Sequence, residues 1–186
     1  VTYCSVSPEV EAKVREHVIL MVETGSIVYG TNLPGQGDID LFGVSCLPPS
    51  DVLGMHPFES MVWRTAGASV RSTDEDTDQA VHSLRKFLGL CADGNPSILQ
   101  NLWTPRANTL VRSPESETLR EQRGFFITKK AGHRFLGYME RQRNRMIDSR
   151  RDDTDPLKRA PRSNRPELTE KYGYDTKFAM HMLRLG

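Results

Sequence analysis

Two acids one residue apart, at the head of a strand-like run, constrain this chain more than any other feature. Asp38-Ile39-Asp40-Leu41-Phe42-Gly43-Val44 is short and apolar apart from its acids, and Pro48-Pro49 stops it. Alternation along a strand puts Asp38 and Asp40 on one face and turns Ile39 and Leu41 toward a core. Carboxylates held side by side repel unless a cation lies between them. Mg²⁺, or Mn²⁺ in its place, suits such a pair, because it takes a few carboxylates together with phosphate oxygens and water. Upstream stand Gly25-Ser26 and then Gly30-Thr31. Gly25 permits a triphosphate to approach the backbone, and Ser26 can donate a hydrogen bond to a phosphate oxygen. Tyr29, beside this turn, can stack on a base or cover the corner between elements. A Gly-Ser pair or an Asp-x-Asp alone says little; in this order they point to phosphoryl transfer from a nucleoside triphosphate.

The flanking pattern predicts an α/β fold. Ser7-Pro8 opens a helix whose apolar residues, Val10, Val14, Val18, Met21 and Val22, keep helical spacing to about Glu23 or Thr24. Strands are expected at 38–47, 59–64 and 78–81. Leu84, Phe87, Leu88 and Cys91 line one face of a helix that ends at Asp93-Gly94, and Asn95-Pro96 starts the next. Beyond this the pattern reads as all helix: one capped by Ser113-Pro114, a long one over 128–148, one opened by Pro166, and one capped by Asp175. The expected organisation is a small mixed sheet flanked by helices in residues 1–93, the catalytic core. A helical C-terminal portion, 94–186, is expected to complete the nucleotide cleft.

A third carboxylate beside Asp38 and Asp40 can bind a metal serving the acceptor hydroxyl or act as its general base. Asp78 is the choice, since it stands at a strand start just before an apolar-periodic helix. Asp76 is its rival, and Asp74 lies back in a polar connector. On the last helix Lys177, His181 and Arg184 fall at i, i+4 and i+7 and so share one face. Such a ridge can grip phosphate or be an ordinary solvated face. The stretch 141–171 is richer in bases than acids, which fits contact with an RNA backbone and equally a charged loop.

Composition narrows the setting. Across 186 residues, 25 Lys and Arg oppose 24 Asp and Glu, which argues against a wholly basic nucleic-acid coat while allowing a local basic surface. No stretch is apolar enough to span a bilayer. The polar start lacks a signal peptide's core. Three cysteines without metal-ligand spacing favour a reducing compartment, so the expectation is a cytoplasmic protein.

The ordered Gly25-Ser26, Asp38-x-Asp40 and later Asp78 resemble the signature of the nucleotidyltransferase superfamily with the DNA polymerase β-like core. More narrowly, the chain resembles the nucleotidyltransferases associated with RNA ligases in RNA-repair gene clusters. Ser83-Leu84-Arg85-Lys86-Phe87-Leu88, Gly94-Asn95-Pro96-Ser97-Ile98-Leu99, Phe135-Leu136-Gly137-Tyr138, Arg165-Pro166-Glu167-Leu168 and 171–181 carry that likeness. Gln100 and Asn101 depart from it, standing where that family often has an acid. The resemblance implies a metal-dependent enzyme that moves a nucleoside monophosphate from a nucleoside triphosphate to an acceptor hydroxyl, with an RNA (tRNA) end preferred. It implies Asp38, Asp40 and Asp78 as catalytic and metal-binding residues. It also implies Gly25, Ser26, Tyr29, Lys177 and His181 around the nucleotide. Transfer to a protein or small molecule, or an inactive nucleotide- or RNA-binding module, are the alternatives.

Overall fold

In the computed structural model, the described residues are 7–31, 39–54, 57–65, 77–148 and 165–185. The chain divides into two compact units, Val1–Ile127 and Thr128–Gly186. Residues 149–164 of the base-rich stretch 141–171 fall outside the described residues, as do Asp38, Asp74 and Asp76.

The first unit is a five-stranded sheet with helices on both faces. Its elements run α1 (Pro8–Glu16), β1 (Val18–Thr24), β2 (Ile39–Ser45), α2 (Pro49–Val52), β3 (Ser60–Arg64), β4 (Thr77–Ser83), α3 (Leu84–Ala92), α4 (Pro96–Leu99), β5 (Thr109–Arg112) and α5 (Pro114–Glu121). The strand order is β3-β4-β2-β1-β5. Among the described residues only the β2–β4 pairing is parallel.

Two elements differ from the sequence expectation. The helix expected to reach Glu23 or Thr24 stops at Glu16, and Val18–Thr24 is a strand. Ile19, Leu20, Met21 and Val22 are all buried. β1 is a central strand of a sheet covered on both faces, so it needs apolar residues on both, and a continuous apolar run supplies them. The five apolar positions read as one helical stripe are a helix followed by a doubly buried strand. The region beyond Gly94 is likewise not all helix. Thr109–Arg112 pairs with β1 as an edge strand, too short to show a period of its own.

Register decides which residues share a face. Met21 faces Gly43, and a Cβ on Gly43 would lie 2.9 Å from both Met21 Cε and Val81 Cγ2, so no side chain fits there. That face packs on α1 through a cluster of Val14, Met21, Leu47 and Val81. The opposite face carries Phe42, whose ring meets His82 at 5.2 Å and Phe87 of α3 at 5.9 Å. Ser83 caps α3 by accepting from the Lys86 amide at 3.2 Å.

The second unit contains α6 (Lys129–Asp148), α7 (Pro166–Tyr172) and α8 (Thr176–Leu185), with α6 packed on α8. Gly173, at φ +76, ends α7 in the left-handed conformation. Asp175 is fully buried, accepts from the Lys177 amide at 3.0 Å and pairs with Arg165 at 3.1 Å, so it caps α8 while anchoring the start of α7. No helix of the described residues is long and apolar enough to cross a membrane.

Candidate active site

One row of residues crosses the first unit's sheet at a single level. Arg64 on β3 faces Asp78 on β4, Asp78 faces Asp40 on β2, and Asp40 faces Thr24 on β1. Side chains at paired positions of neighbouring strands point to the same face. Asp40 and Asp78 therefore stand side by side, about one strand spacing of 4.8 Å apart at the backbone. They share the face of Phe42 and α3, at the strand end beyond the Phe42–Phe87 contact. Arg64 Nε lies 3.4 Å from Asp78 Oδ2, and the Asp78 side chain is only 16% exposed.

The Gly25 turn is folded onto this row. Gly25 directly follows Thr24 and adopts φ +77. A Cβ there would lie 3.1 and 3.2 Å from Asp40 Cγ and Cβ and would collide with the carboxylate oxygen. Only a residue lacking a side chain meets both demands: the left-handed backbone and the space taken by Asp40. The sequence reading gave Gly25 the task of admitting a phosphate; the structure adds that Gly25 admits Asp40. The turn then closes on itself. The Ser26 carbonyl accepts from the Thr31 amide at 2.9 Å, and the Ile27 carbonyl from Gly30 at 3.2 Å. Ser26 and Tyr29 are half-buried within it.

This end suits a divalent cation. Two acids hold paired positions on adjacent strands, Arg64 partly offsets Asp78, and Gly25 leaves room against Asp40. Among the described residues no cluster of three His, Cys, Asp or Glu side chains is arranged around one point. Asp38, the remaining expected donor, lies outside the described residues. Arg64 is a member of the row that sequence reasoning missed. Its signal was positional: the last residue of a strand adjoining the one that carries Asp78.

Lys177 and His181 lie on α8 in the second unit. Burial holds the His181 imidazole at a pKa of about 4, below its ordinary 6.5, helped by the positive charges of Arg184, Lys177 and Arg165 and opposed by Asp175. His181 is therefore neutral at pH 7. The α8 face is cationic through Lys177 and Arg184, while His181 offers a neutral ring whose buried Nδ1 has no hydrogen-bond partner among the described residues.

Residues 6–186 match the RNA repair pathway DNA polymerase beta family. The chain belongs to this family. It is also 31% identical over 121 residues to an uncharacterised 38.9 kDa protein encoded in the nrdC–mobD intergenic region of enterobacteria phage T4. That likeness takes in 63% of the present chain and spans about a third, 35%, of the phage protein. In this chain Asp40 and Asp78 are paired acids on adjacent strands of the mixed sheet.

Proposed function

We propose that this chain is a divalent-metal-dependent nucleotidyltransferase that moves a nucleoside monophosphate from a nucleoside triphosphate to a hydroxyl at an RNA end. The observation that carries the reading is the facing of Asp40 and Asp78 across β2 and β4, under a glycine turn that tolerates no Cβ. Membership of an RNA repair pathway family supports the acceptor class.

In the proposed reaction the acceptor oxygen bonds to the α-phosphorus. The bond from the α-phosphorus to the oxygen bridging to the β-phosphate breaks, and pyrophosphate leaves. Asp40 and Asp78, with Asp38, are the proposed ligands of Mg²⁺ or Mn²⁺. When bound, such an ion neutralises phosphate charge and lowers the pKa of the attacking hydroxyl. Asp78, on the side of the row nearer Arg64, is the proposed acceptor of that hydroxyl's proton. Arg64 positions its carboxylate. Ser26 is proposed to donate to a phosphate oxygen and Tyr29 to stack on the base. Lys177 and His181 are proposed to donate hydrogen bonds to phosphate oxygens.

The test is incubation with α-labelled ATP, CTP, GTP and UTP, RNA and Mg²⁺, alongside Asp40→Ala and Asp78→Ala. Label should pass to RNA in the wild-type chain and fall at least 100-fold in either variant, the scale of losing a catalytic acid or base. Label on protein alone would move the acceptor to a protein hydroxyl. Triphosphate binding without transfer would make the chain a binding module.

A further inference from the structure

A second built surface lies in the first unit, away from the acids. Trp103, Arg106, Glu117, Arg120, Glu121 and Arg123 line an open hollow of about 420 Å³. Trp103 is 41% exposed, and the Arg123 guanidinium lies 5.4 Å from its ring centre. Arg120 is 93% buried and fixed at the floor, where it donates to the Thr104 carbonyl and, at 3.2 Å, to Thr109 Oγ1. Arg106 reaches Glu117 at 2.7 Å from an exposed position. Arg120 is held below its ordinary pKa first by burial, and Arg123, Arg106 and Arg112 add to this while Glu117 opposes it. Arg106, Arg120 and Arg123 thus meet at this hollow against Glu117 and Glu121.

We propose that this hollow holds a single strand of RNA, with a base stacked on Trp103 and the adjoining phosphates on Arg106 and Arg123. An exposed indole among guanidiniums is the pairing that a single strand demands, since every base has a face to stack and every linkage a charge to neutralise. Phosphate oxygens would compete with Glu117 for Arg106, an exposed pair that holds little net energy. The Arg120 bond to Thr109 fixes the hollow to the start of β5. Asn108 donates to Glu23 on β1 at 2.7 Å, tying that start to the sheet end that bears Asp40. From β2 across β1 to β5 is two strand spacings, about 10 Å. A strand seated here can thus lead its terminal hydroxyl toward the acids. The inference rests on the nucleotidyltransferase reading for its purpose, though not for its binding.

The test uses the full chain and a fluorescein-labelled oligouridylate, read by anisotropy over a salt series. A labelled oligoglutamate and Mg²⁺-triphosphate calorimetry run in parallel. Trp103→Leu should weaken RNA binding at least 5-fold, the low end for losing a base stack. Arg106→Gln with Arg123→Gln should reduce the slope of log affinity against log salt by about 1.4, at roughly 0.7 for each lost phosphate contact. Triphosphate binding should be unchanged in both, because neither variant touches the acid row. Unchanged RNA affinity and slope in both variants would overturn the proposal, even if transfer activity is found. Oligoglutamate binding as tight as RNA, with the same residue dependence, would overturn it in favour of an acidic protein partner. RNA binding that depends on these residues, in a chain that binds no triphosphate, would uphold the hollow and remove the nucleotidyltransferase reading.

Discussion

Gly25→Ala tests the closeness of the turn to Asp40, and Gly30→Ala is its built-in control. Both glycines are left-handed, at φ +77 and +62. An L-residue in that region costs about 1–2 kcal/mol, so both variants should lose stability on that scale. Nothing lies within 4 Å of a Cβ at Gly30, and its loss should stop there. At Gly25 the new methyl also meets Asp40. Rotating the carboxylate relieves the collision with its oxygen but not the 3.2 Å approach to Asp40 Cβ, so strand β2 or the turn must shift. Such overpacking costs about 1–3 kcal/mol more. Urea unfolding of the two variants at one pH should therefore separate them by that margin. Calorimetry with Mg²⁺ and a triphosphate should show Gly30→Ala binding like wild type and Gly25→Ala binding at least 10-fold more weakly. Equal stability and equal binding in the two variants would refute the reasoning, because the backbone penalty alone would then explain both.

Asp40→Asn removes one of two facing charges; without metal it should be neutral or stabilising by up to about 1 kcal/mol, while the rise in melting temperature that Mg²⁺ gives the wild type should disappear. Arg64→Ala should cost no more than about 1 kcal/mol, since the pair is partly exposed, yet slow label transfer about 10-fold at unchanged triphosphate affinity. For His181 the folded pKa, about 4, lies below the ordinary 6.5, so the unfolded chain binds more protons between those values. Stability should be fully present above pH 6.5 and fall as pH drops toward 4. The full difference corresponds to roughly 3 kcal/mol, and solvent screening of the half-buried ring reduces it to about 1 kcal/mol. His181→Asn should flatten urea midpoints measured across that window; an unaltered slope would place the titrating group elsewhere.

What could be read in the sequence depended on whether a signal was local. Asn95 and Ser113 cap the helices they were expected to open, because a cap is a bond between neighbours in the chain. Asp175 capping α8 is the same case. Val18–Thr24 misled because valines and methionines that keep helical spacing are the same residues a central strand buries on both faces. β5 escaped because a strand of 4 residues owes its existence to β1, more than 80 positions away, rather than to its own pattern. Asp40 and Asp78 could be nominated from strand positions, but their facing each other could not, since register between parallel strands is settled by packing. Arg64 and the Trp103 hollow are products of that same assembly.

The pairing of β2 with β4 has a consequence for how the site comes into being. β1 with β2, and β3 with β4, are each antiparallel neighbours that follow one another among the strands of the chain. The parallel β2–β4 contact is the seam where those two strand pairs meet, and it places one acid on each side. Neither half alone holds the pair. A divalent ion bound by both carboxylates would bridge the seam like a stitch, so its affinity would report docking, and chelation would loosen the join before either half unravelled.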